Sequence, residues 1–296
     1  MNRLDALRLI TADATREPLH FAGHVEVGLR IRDALEDPNC SMDKAAQLVQ
    51  LEPALAAQVV AIANSAAYRT SEQPVTGVKT AVVRLGFSTL RGLVAAHIVK
   101  HLPGVPKSSA VKRSTERLWR HTTHTAALCR TIAQRITRLD PETALFVGLV
   151  HEVGMFYLLS RADEYPALLA PDAPAAKPGS AGQGQETDAE PAEDPAARAE
   201  SELTLAVLGQ LNVPGIIVTA IEDYCKGFME LPPVTLGDTV LLAHWLAPVR
   251  WPADATEGGD ESMRASIDAA IGQSTLSEIL RESAEEVASL ASALGA

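Results

Sequence analysis

The sequence predicts an all-α protein, a helical bundle of two packed helical subdomains with no significant β-sheet. Apolar residues recur along most of the chain at the three- and four-residue spacing of an amphipathic helix. Alanine-rich stretches such as PALAAQVVAIANSAAY add a composition that favours helix. Helix start signals, such as Asp140 followed by Pro141, separate these segments. Together these three observations predict the fold class.

The first half of the chain contains four predicted helical regions. Residues 1–17 form a lead-in helix, and PALAAQVVAIANSAAY forms the next one. VKTAVVRLGFSTLRGLVAAHIV divides at Gly86 into two short helices, with a new start at Ser88. From Lys107 to Arg138 the periodicity predicts one long helix. Its core-facing stripe consists of Val111, Leu118, Thr122, Thr125, Cys129, Ile132 and Ile136.

The second half begins with DPETALFVGLVHEVGMFYLL, which opens with Asp140 as N-cap and is apolar on nearly all sides. This stretch predicts one buried helix. Further helices are predicted at about 199–211, 214–226 and 236–247. Residues 171–198 hold five prolines and three glycines without a large apolar side chain, which predicts a disordered insert. After a second acidic break at 254–262, residues 251–296 are predicted as a C-terminal helical extension.

Length and composition indicate a globular protein. The chain has 296 residues, of which 47% are hydrophobic, enough for a substantial core. Its N-terminus lacks the apolar centre of a signal peptide, and no continuous apolar run approaches the roughly 18 residues of a membrane span. We therefore expect a cytoplasmic protein without a membrane partner. Cys40, Cys129 and Cys225 are odd in number and widely spaced, which predicts core thiols rather than disulfides or a zinc knuckle.

Charge is divided unevenly along the chain. Residues 79–138 contain twelve Lys or Arg and one acid, Glu116, whereas the whole chain carries a net charge of −11. On the predicted long helix, basic residues cluster opposite the core-facing stripe. They are Arg113, Arg117, Arg120, His124, Arg135 and Arg138. This face is either a solvated surface neutralised by acidic groups of the same chain or a docking surface for an anionic ligand or partner.

The apolar stretch GLVHEVGMFYLL places His151 directly before Glu152. An ionised carboxylate taken out of water costs several kcal/mol or more unless it is paired or bound to a cation. A buried pair at this position therefore needs a partner or an ion.

Several phrases resemble a known family. LWRHTTHTAALCRTIA followed by ALFVGLVHEVG resembles the HD superfamily of metal-dependent phosphohydrolases, in which a histidine and a later His-Asp pair hold metal ions. LEPALAAQVVAIANSAAY and VTGVKTAVVRLGFSTLRGLV, with LGDTVLLAHWLA near the end, resemble the HDOD family, the HD-related output domains. The resemblance covers residues 18–250. It implies an N-terminal helical bundle at 18–106 and a degenerate HD-like bundle at 107–250.

The resemblance also implies which residues occupy the HD site and shows that the site departs from the catalytic pattern. The matched positions are His121, His151, Glu152, Glu200, Tyr224 and Cys225. Glutamate replaces the bridging aspartate, and Tyr224 and Cys225 replace paired histidines. We therefore expect no catalytic residues, no bound metal and no cofactor, with Glu152 hydrogen-bonded or ion-paired to a histidine. A partial site of His121, His151 and Glu152, with Glu200, is the alternative and would hold one metal ion.

The resemblance implies a non-enzymatic bacterial signal-transduction module that binds protein partners, with a nucleotide as a further candidate ligand. The alternative is a metal-dependent phosphohydrolase acting on nucleotides or cyclic dinucleotides. Nucleic-acid binding is disfavoured because the net charge is negative and only 4% of the residues are aromatic.

Overall fold

The computed structural model describes residues 2–16, 23–65, 67–69, 73–169, 194–211, 213–227, 229–249 and 260–294. These residues form helices and connecting loops with no strand among them, so the predicted all-α class is confirmed. The helices are α1 Arg3–Arg16, α2 Gly23–Glu36, α3 Met42–Gln50, α4 Pro53–Ala63, α5 Val78–His101, α6 Ser109–Ile132, α7 Pro141–Val150, α8 Val153–Arg161, α9 Pro195–Gln210, α10 Gly215–Lys226, α11 Leu236–Leu246, α12 Asp260–Ile271 and α13 Gln273–Leu294.

Helices α2 to α5 form the N-terminal bundle, in which α5 packs against α2, α3 and α4. The predicted break in α5 is confirmed, because Gly86 adopts a left-handed backbone with φ 74° that L side chains rarely adopt. Asn64, in the ANSA phrase, closes the loop after α4. Its amide nitrogen donates to the carbonyls of Val60 and Val75, and its side-chain oxygen accepts from the Val75 N–H at 2.7 Å.

Helix α6 is the central helix of the second bundle. It begins at the Ser108 N-cap, whose hydroxyl accepts from the Val111 N–H, and continues into a π-helical turn at Ala133–Thr137. The predicted apolar stripe is buried, with Ile136 partly so. The predicted basic face opposite this stripe is interrupted, because every residue from Thr125 to Ala133 is buried. Neighbouring helices cover this stretch on all sides.

The prediction of one helix from residue 141 to 159 is also wrong. Helix α7 ends at Val150 and α8 begins at Val153, so His151 and Glu152 lie at the junction. The Glu152 backbone, with φ −105° and ψ 22°, is outside the helical region. Because consecutive residues of a continuous helix point about 100° apart, this break is what allows both side chains to face the same cleft.

A buried polar cluster joins the two bundles where α5 and α6 meet α7. The Glu142 carboxylate accepts hydrogen bonds from Tyr68 at 2.8 Å and Thr89 at 3.1 Å. Arg130 completes the cluster with an ion pair to Glu142 at 2.8 Å and with its guanidinium over the Tyr68 ring. These contacts stabilise the Glu142 carboxylate, whose charge would otherwise destabilise the interface between the bundles.

The predicted disordered insert, residues 171–198, lies mostly outside the described residues. Its last four residues correct the prediction, because α9 already begins at Pro195. Asp194 caps this helix by accepting from the Ala196 N–H, and a proline at the first helical position needs no hydrogen-bond partner for its nitrogen. The lead-in helix α1 packs on α9, with Thr11 donating to the Ala199 carbonyl.

Within the C-terminal extension, α13 lies against both α6 and α4. The Arg135 guanidinium forms an ion pair with Glu282 of α13, with 2.9 Å between Nε and Oε2. The predicted acidic break at 254–262 is partly outside the described residues, and α12 begins within it at Asp260.

The cysteine prediction is correct for Cys129 alone, which is buried, whereas Cys40 and Cys225 are only partly buried. Two helical stretches, Val78–His101 and Pro141–Arg161, are long and apolar enough to cross a membrane by composition. Within the protein, 61% and 72% of their apolar windows are buried, as expected for core helices.

Candidate functional site

Four potential metal ligands from three parts of the fold meet in one cleft. His121 projects from the middle of α6, and His151 and Glu152 come from the junction of α7 and α8. The fourth ligand, His244, lies in the last turn of α11. One ligand atom from each of these residues lies within 4.8 Å of the others.

The shortest separations in this cluster join nitrogen atoms. His121 Nε2 lies 3.4 Å from His151 Nε2 and 3.1 Å from His244 Nδ1. The Glu152 Oε1 atom lies 3.9 Å from both His151 Nε2 and His244 Nδ1. Ligands about 2.05 Å from a tetrahedral ion lie about 3.3 Å apart. These four separations lie within roughly half an ångström of that edge, and the whole group spans at most 4.8 Å, so the cluster is somewhat larger than a tetrahedral divalent-metal site.

Hydrogen bonds outside the cluster define which ring nitrogens carry protons. His121 Nδ1 lies 2.7 Å from the Val249 carbonyl, and His151 Nδ1 lies 2.8 Å from the Gly148 carbonyl. Since a carbonyl oxygen only accepts, each Nδ1 carries the proton and donates it. In the neutral rings both Nε2 atoms are therefore acceptors, and His121 Nε2 also lies 3.1 Å from His244 Nδ1 and 3.4 Å from the Thr125 hydroxyl. This arrangement, with a backbone carbonyl behind each imidazole, is the one that orients histidines as metal ligands.

The surroundings of the cleft disfavour charge on His151 and Glu152. Burial raises the pKa of Glu152 to about 8, although a hydrogen bond from Tyr224 acts in the opposite direction. Burial, together with the neighbouring His121 and His244, lowers the pKa of His151 well below its usual value. The cleft therefore opposes an added proton on His151 and an isolated negative charge on Glu152. A divalent cation bound to both would offset these costs.

Beside the four ligands, the cleft has a volume of about 290 Å³. The Tyr224 hydroxyl donates to Glu152 Oε1 at 3.0 Å and lies 3.1 Å from His244 Nδ1. Glu200 lines the same cleft and forms an ion pair with Arg3 of α1 at 2.6 Å. The other walls are mostly apolar or thiol-bearing. They include Met155, Ala197, Thr204, Cys225, Leu241 and Trp245.

The structure thus brings together most of the sequence-predicted site, with two differences. Glu200 lines the cleft wall, yet it does not belong to the compact group of four ligands. His244, which sequence reasoning missed, takes a place in that group. The available signal was a histidine inside the apolar phrase LGDTVLLAHWLA, an anomaly of the same kind as His151.

The predicted basic face is divided into two parts by the fold. Arg113 and Arg120 are exposed and Arg117 is half-buried on the first half of α6, and we call these three residues the basic surface. The half-buried His124 follows them, with its Nδ1 donating to the Arg120 carbonyl. Past the buried segment, Arg135 is paired with α13, and Arg138 donates to the carbonyl of residue 134.

Comparisons with known proteins agree with this architecture. A proposed metal-dependent phosphohydrolase from Shewanella amazonensis is 17% identical, with a TM-score of 0.71, covering 98% of this chain and 99% of that one. An HDOD domain protein of unknown function from Geobacter sulfurreducens is 19% identical, with a TM-score of 0.57 and 98% of each chain covered. A proposed signal transduction protein from Marinobacter aquaeolei is 17% identical with a TM-score of 0.55, covering all of this chain and 67% of that one.

Identities this low show a shared fold and nothing more. A comparison with curated protein sequences gave no match. The family model described as the HDOD domain matches residues 24–221, about two thirds of the chain, in agreement with the motifs at ANSA and RLG. The chain therefore belongs to the HDOD domain family.

Proposed function

We propose that this HDOD protein is a non-enzymatic regulatory module of bacterial signalling that acts by binding protein partners. Its family and its fold similarity to a proposed signal transduction protein support a regulatory role. The alternative, metal-dependent phosphodiester hydrolysis, requires a particular set of metal ligands, which can be compared with the residues of the cleft.

The observation that carries the proposal is the composition of the ligand cluster. Catalytic metal sites keep a coordination position open for water or substrate, whereas sites with four protein ligands are structural. Here four protein side chains each place a potential ligand atom within 4.8 Å of the others. Two-metal phosphodiesterases also need further ligands about 3.5–4 Å away for a second ion. In the described part of the chain, no second group of metal-ligating side chains is present.

The test is a hydrolysis assay with bis-p-nitrophenyl phosphate and with cyclic dinucleotides, in the presence of Mn²⁺, Mg²⁺ or Zn²⁺. We expect no turnover above background from the wild-type protein. The matched variants are His151→Ala, which removes a cluster ligand, and His124→Ala, which alters a histidine outside the cluster on α6. Metal-dependent turnover that disappears in His151→Ala and persists in His124→Ala would establish the phosphohydrolase alternative.

Partner binding is assigned to the basic surface, Arg113, Arg117 and Arg120, and the partner is expected to present an acidic surface. Two of these arginines are exposed, and the surrounding sequence is strongly basic within an acidic chain. A localised positive patch of this kind accelerates association with an oppositely charged protein and makes binding sensitive to salt.

A charge-reversal experiment tests this assignment. Arg113→Glu combined with Arg120→Glu should leave stability within about 1 kcal/mol of wild type, because exposed charges contribute little to folding. Binding to a signalling partner identified in the native host should weaken by about tenfold or more, mainly through the association rate. The matched control is Arg30→Glu, an exposed arginine on α2. Equal partner affinities of wild type and the double variant at every salt concentration would refute the docking assignment.

We expect a nucleotide ligand in the cleft. The cleft volume of about 290 Å³ is at the lower end of the roughly 300–1,000 Å³ that small-molecule sites occupy. This size favours a ligand no larger than a mononucleotide over a cyclic dinucleotide. Isothermal titration with both ligand classes measures the preference, and tight binding of the cyclic dinucleotide alone would contradict it.

A further inference from the structure

We propose that the surface which α4 and α6 jointly present to α13 docks an amphipathic helix of a protein partner, with acidic residues beside its apolar face. We call it the α4–α6 surface. In this structure α13 of the same chain covers the surface, and the partner helix displaces it. The inference rests on the proposed function, because it names the kind of partner and the contact that controls its access.

The first argument is the way in which α13 packs. Besides its neighbour α12, the helices that α13 chiefly contacts are α6 and α4. Leu276 and Ile279 are buried, and Leu280 and Val287 are partly buried against the core. These four residues recur at the three- and four-residue spacing of one helical face. The α4–α6 surface therefore accepts the apolar face of an amphipathic helix, which is a common mode of peptide recognition.

The second argument is charge complementarity. Helix α13 contains four glutamates and one arginine, whereas residues 79–138, which include α6, contain twelve basic residues and one acid. Glu282 lies at the edge of the apolar face of α13. It forms an ion pair with Arg135, with 2.9 Å between Nε and Oε2. Because complementary charge selects partners and orients them, a helix that competes with α13 is expected to be acidic as well.

The third argument is that few side chains anchor α13. Of its side chains that the structure describes, only Leu276, Ile279 and Ser283 are buried. Ser283 lies within the apolar face, and its hydroxyl donates to the Leu280 carbonyl of the same helix. A serine at this position buries less apolar area than a leucine or isoleucine would. Elements with few buried apolar contacts open locally without unfolding the rest of the protein, so α13 can be displaced.

The first experiment measures hydrogen exchange of the full chain by mass spectrometry. The amides of α13 should exchange about 100-fold or more faster than those of the buried segment Thr125–Ala133, because local opening costs less than global unfolding. Glu282→Lys places a like charge beside Arg135 and should accelerate exchange in α13 by about fivefold or more. Arg135→Glu combined with Glu282→Lys restores opposite charges and should return the rate to within about twofold of wild type.

The matched control is Glu285→Lys, which makes the same charge change at an exposed position of α13. Glu285 pairs only with Arg281 of its own helix among the described contacts, so this variant should exchange within about twofold of wild type. Glu282→Gln keeps the shape of the side chain and removes its charge. It should change the exchange rate in the same direction by less, and it replaces Glu282→Lys if circular dichroism shows that Glu282→Lys folds poorly.

The second experiment probes the surface with a fluorescein-labelled peptide of residues 273–294. A helix tethered in the same chain competes at an effective concentration of about millimolar, so the wild-type chain should bind the peptide weakly. Full-length Glu282→Lys should bind it about fivefold or more tightly than wild type, because its own α13 is loosened while Arg135 stays in place. A peptide with Ile279→Asp should bind neither chain.

Three results would overturn the proposal. They are exchange in α13 as slow as in Thr125–Ala133, equal peptide affinities of wild type, Glu282→Lys and Glu285→Lys, and dimers of Glu282→Lys in light scattering. Dimers would show that the surface takes a second copy of the chain instead of a partner helix.

The partner identified for the basic surface supplies the last measurement, because its addition should accelerate exchange in α13. A partner that binds while α13 keeps its exchange rate would refute docking on the α4–α6 surface and leave partner binding intact. Conversely, partner affinity that is unchanged by reversal of Arg113 and Arg120 would refute the basic surface, whereas the exchange and peptide results would stand. The two proposals therefore fail separately.

Discussion

The close contact between α6 and α7 at Gly148 leads to a prediction with a calculable magnitude. A Cβ added at residue 148 would lie 2.5 Å from Ala126 Cα, 3.0 Å from Ala126 N and 3.1 Å from the Cys129 sulfur. Non-bonded carbon atoms prefer about 3.5–4.0 Å, so the two helices would have to separate locally by about 1 Å. The atoms in the way belong mainly to the backbone of a buried helix, which cannot rotate aside.

Gly148→Ala should therefore destabilise the protein. Overpacking of a core typically costs about 1–3 kcal/mol, and we expect the upper end because backbone atoms are involved. Replacing a helical glycine with alanine returns about 0.5–1 kcal/mol. The net loss should be about 2 kcal/mol, which lowers the melting temperature by roughly 3 °C for a chain of this size.

The assay is reversible urea unfolding followed by far-ultraviolet circular dichroism, together with thermal melts. Gly209→Ala is the matched control, because a Cβ at this exposed position of α9 meets nothing within 4 Å. This variant should be as stable as wild type or up to about 1 kcal/mol more stable. If Gly148→Ala matches Gly209→Ala in stability, the packing argument is wrong.

Three further predictions concern charges and caps. Because burial raises the pKa of Glu152 from 4.5 to about 8, its contribution to stability is complete below pH 4.5 and is lost as pH rises to 8. Without metal, the stability of Glu152→Gln relative to wild type should therefore increase as the pH rises across this range. The increase is at most about 5 kcal/mol, at 1.36 kcal/mol per pKa unit. If the urea midpoints of the two proteins stay a constant distance apart from pH 5 to about 8.5, the prediction is wrong. Arg130→Ala should cost about 3–5 kcal/mol in urea unfolding, because it leaves Glu142 without its ion pair at 2.8 Å; a loss below about 1 kcal/mol would show that the pair is solvated. Asp140→Ala should lower the free energy of unfolding by about 1 kcal/mol, because its carboxylate caps α7 by accepting from the Thr143 N–H at 2.7 Å, and a neutral result would exclude that role.

Local signals in the sequence determined the helices and most of their ends. Asp140 with Pro141 marks the start of α7, and Gly86 marks the break in α5, because capping and left-handed backbone depend on residues within a few positions. The family motifs also identified His121, His151 and Glu152 as members of one site. These conclusions required no knowledge of tertiary contacts.

Tertiary structure alone decided how those residues are arranged. The periodicity of α6 predicted one basic face. Packing of several neighbouring helices buries every residue from Thr125 to Ala133 and so interrupts that face. The pair at residues 151 and 152 predicted no helix break, because an apolar run is equally compatible with one buried helix or two. His244 joined the site only through the packing of α11 against α6, a contact across 123 residues that no local pattern encodes. Sequence thus determined which residues could form helices and ligands, whereas long-range packing decided which of them meet, because burial and proximity depend on the whole chain.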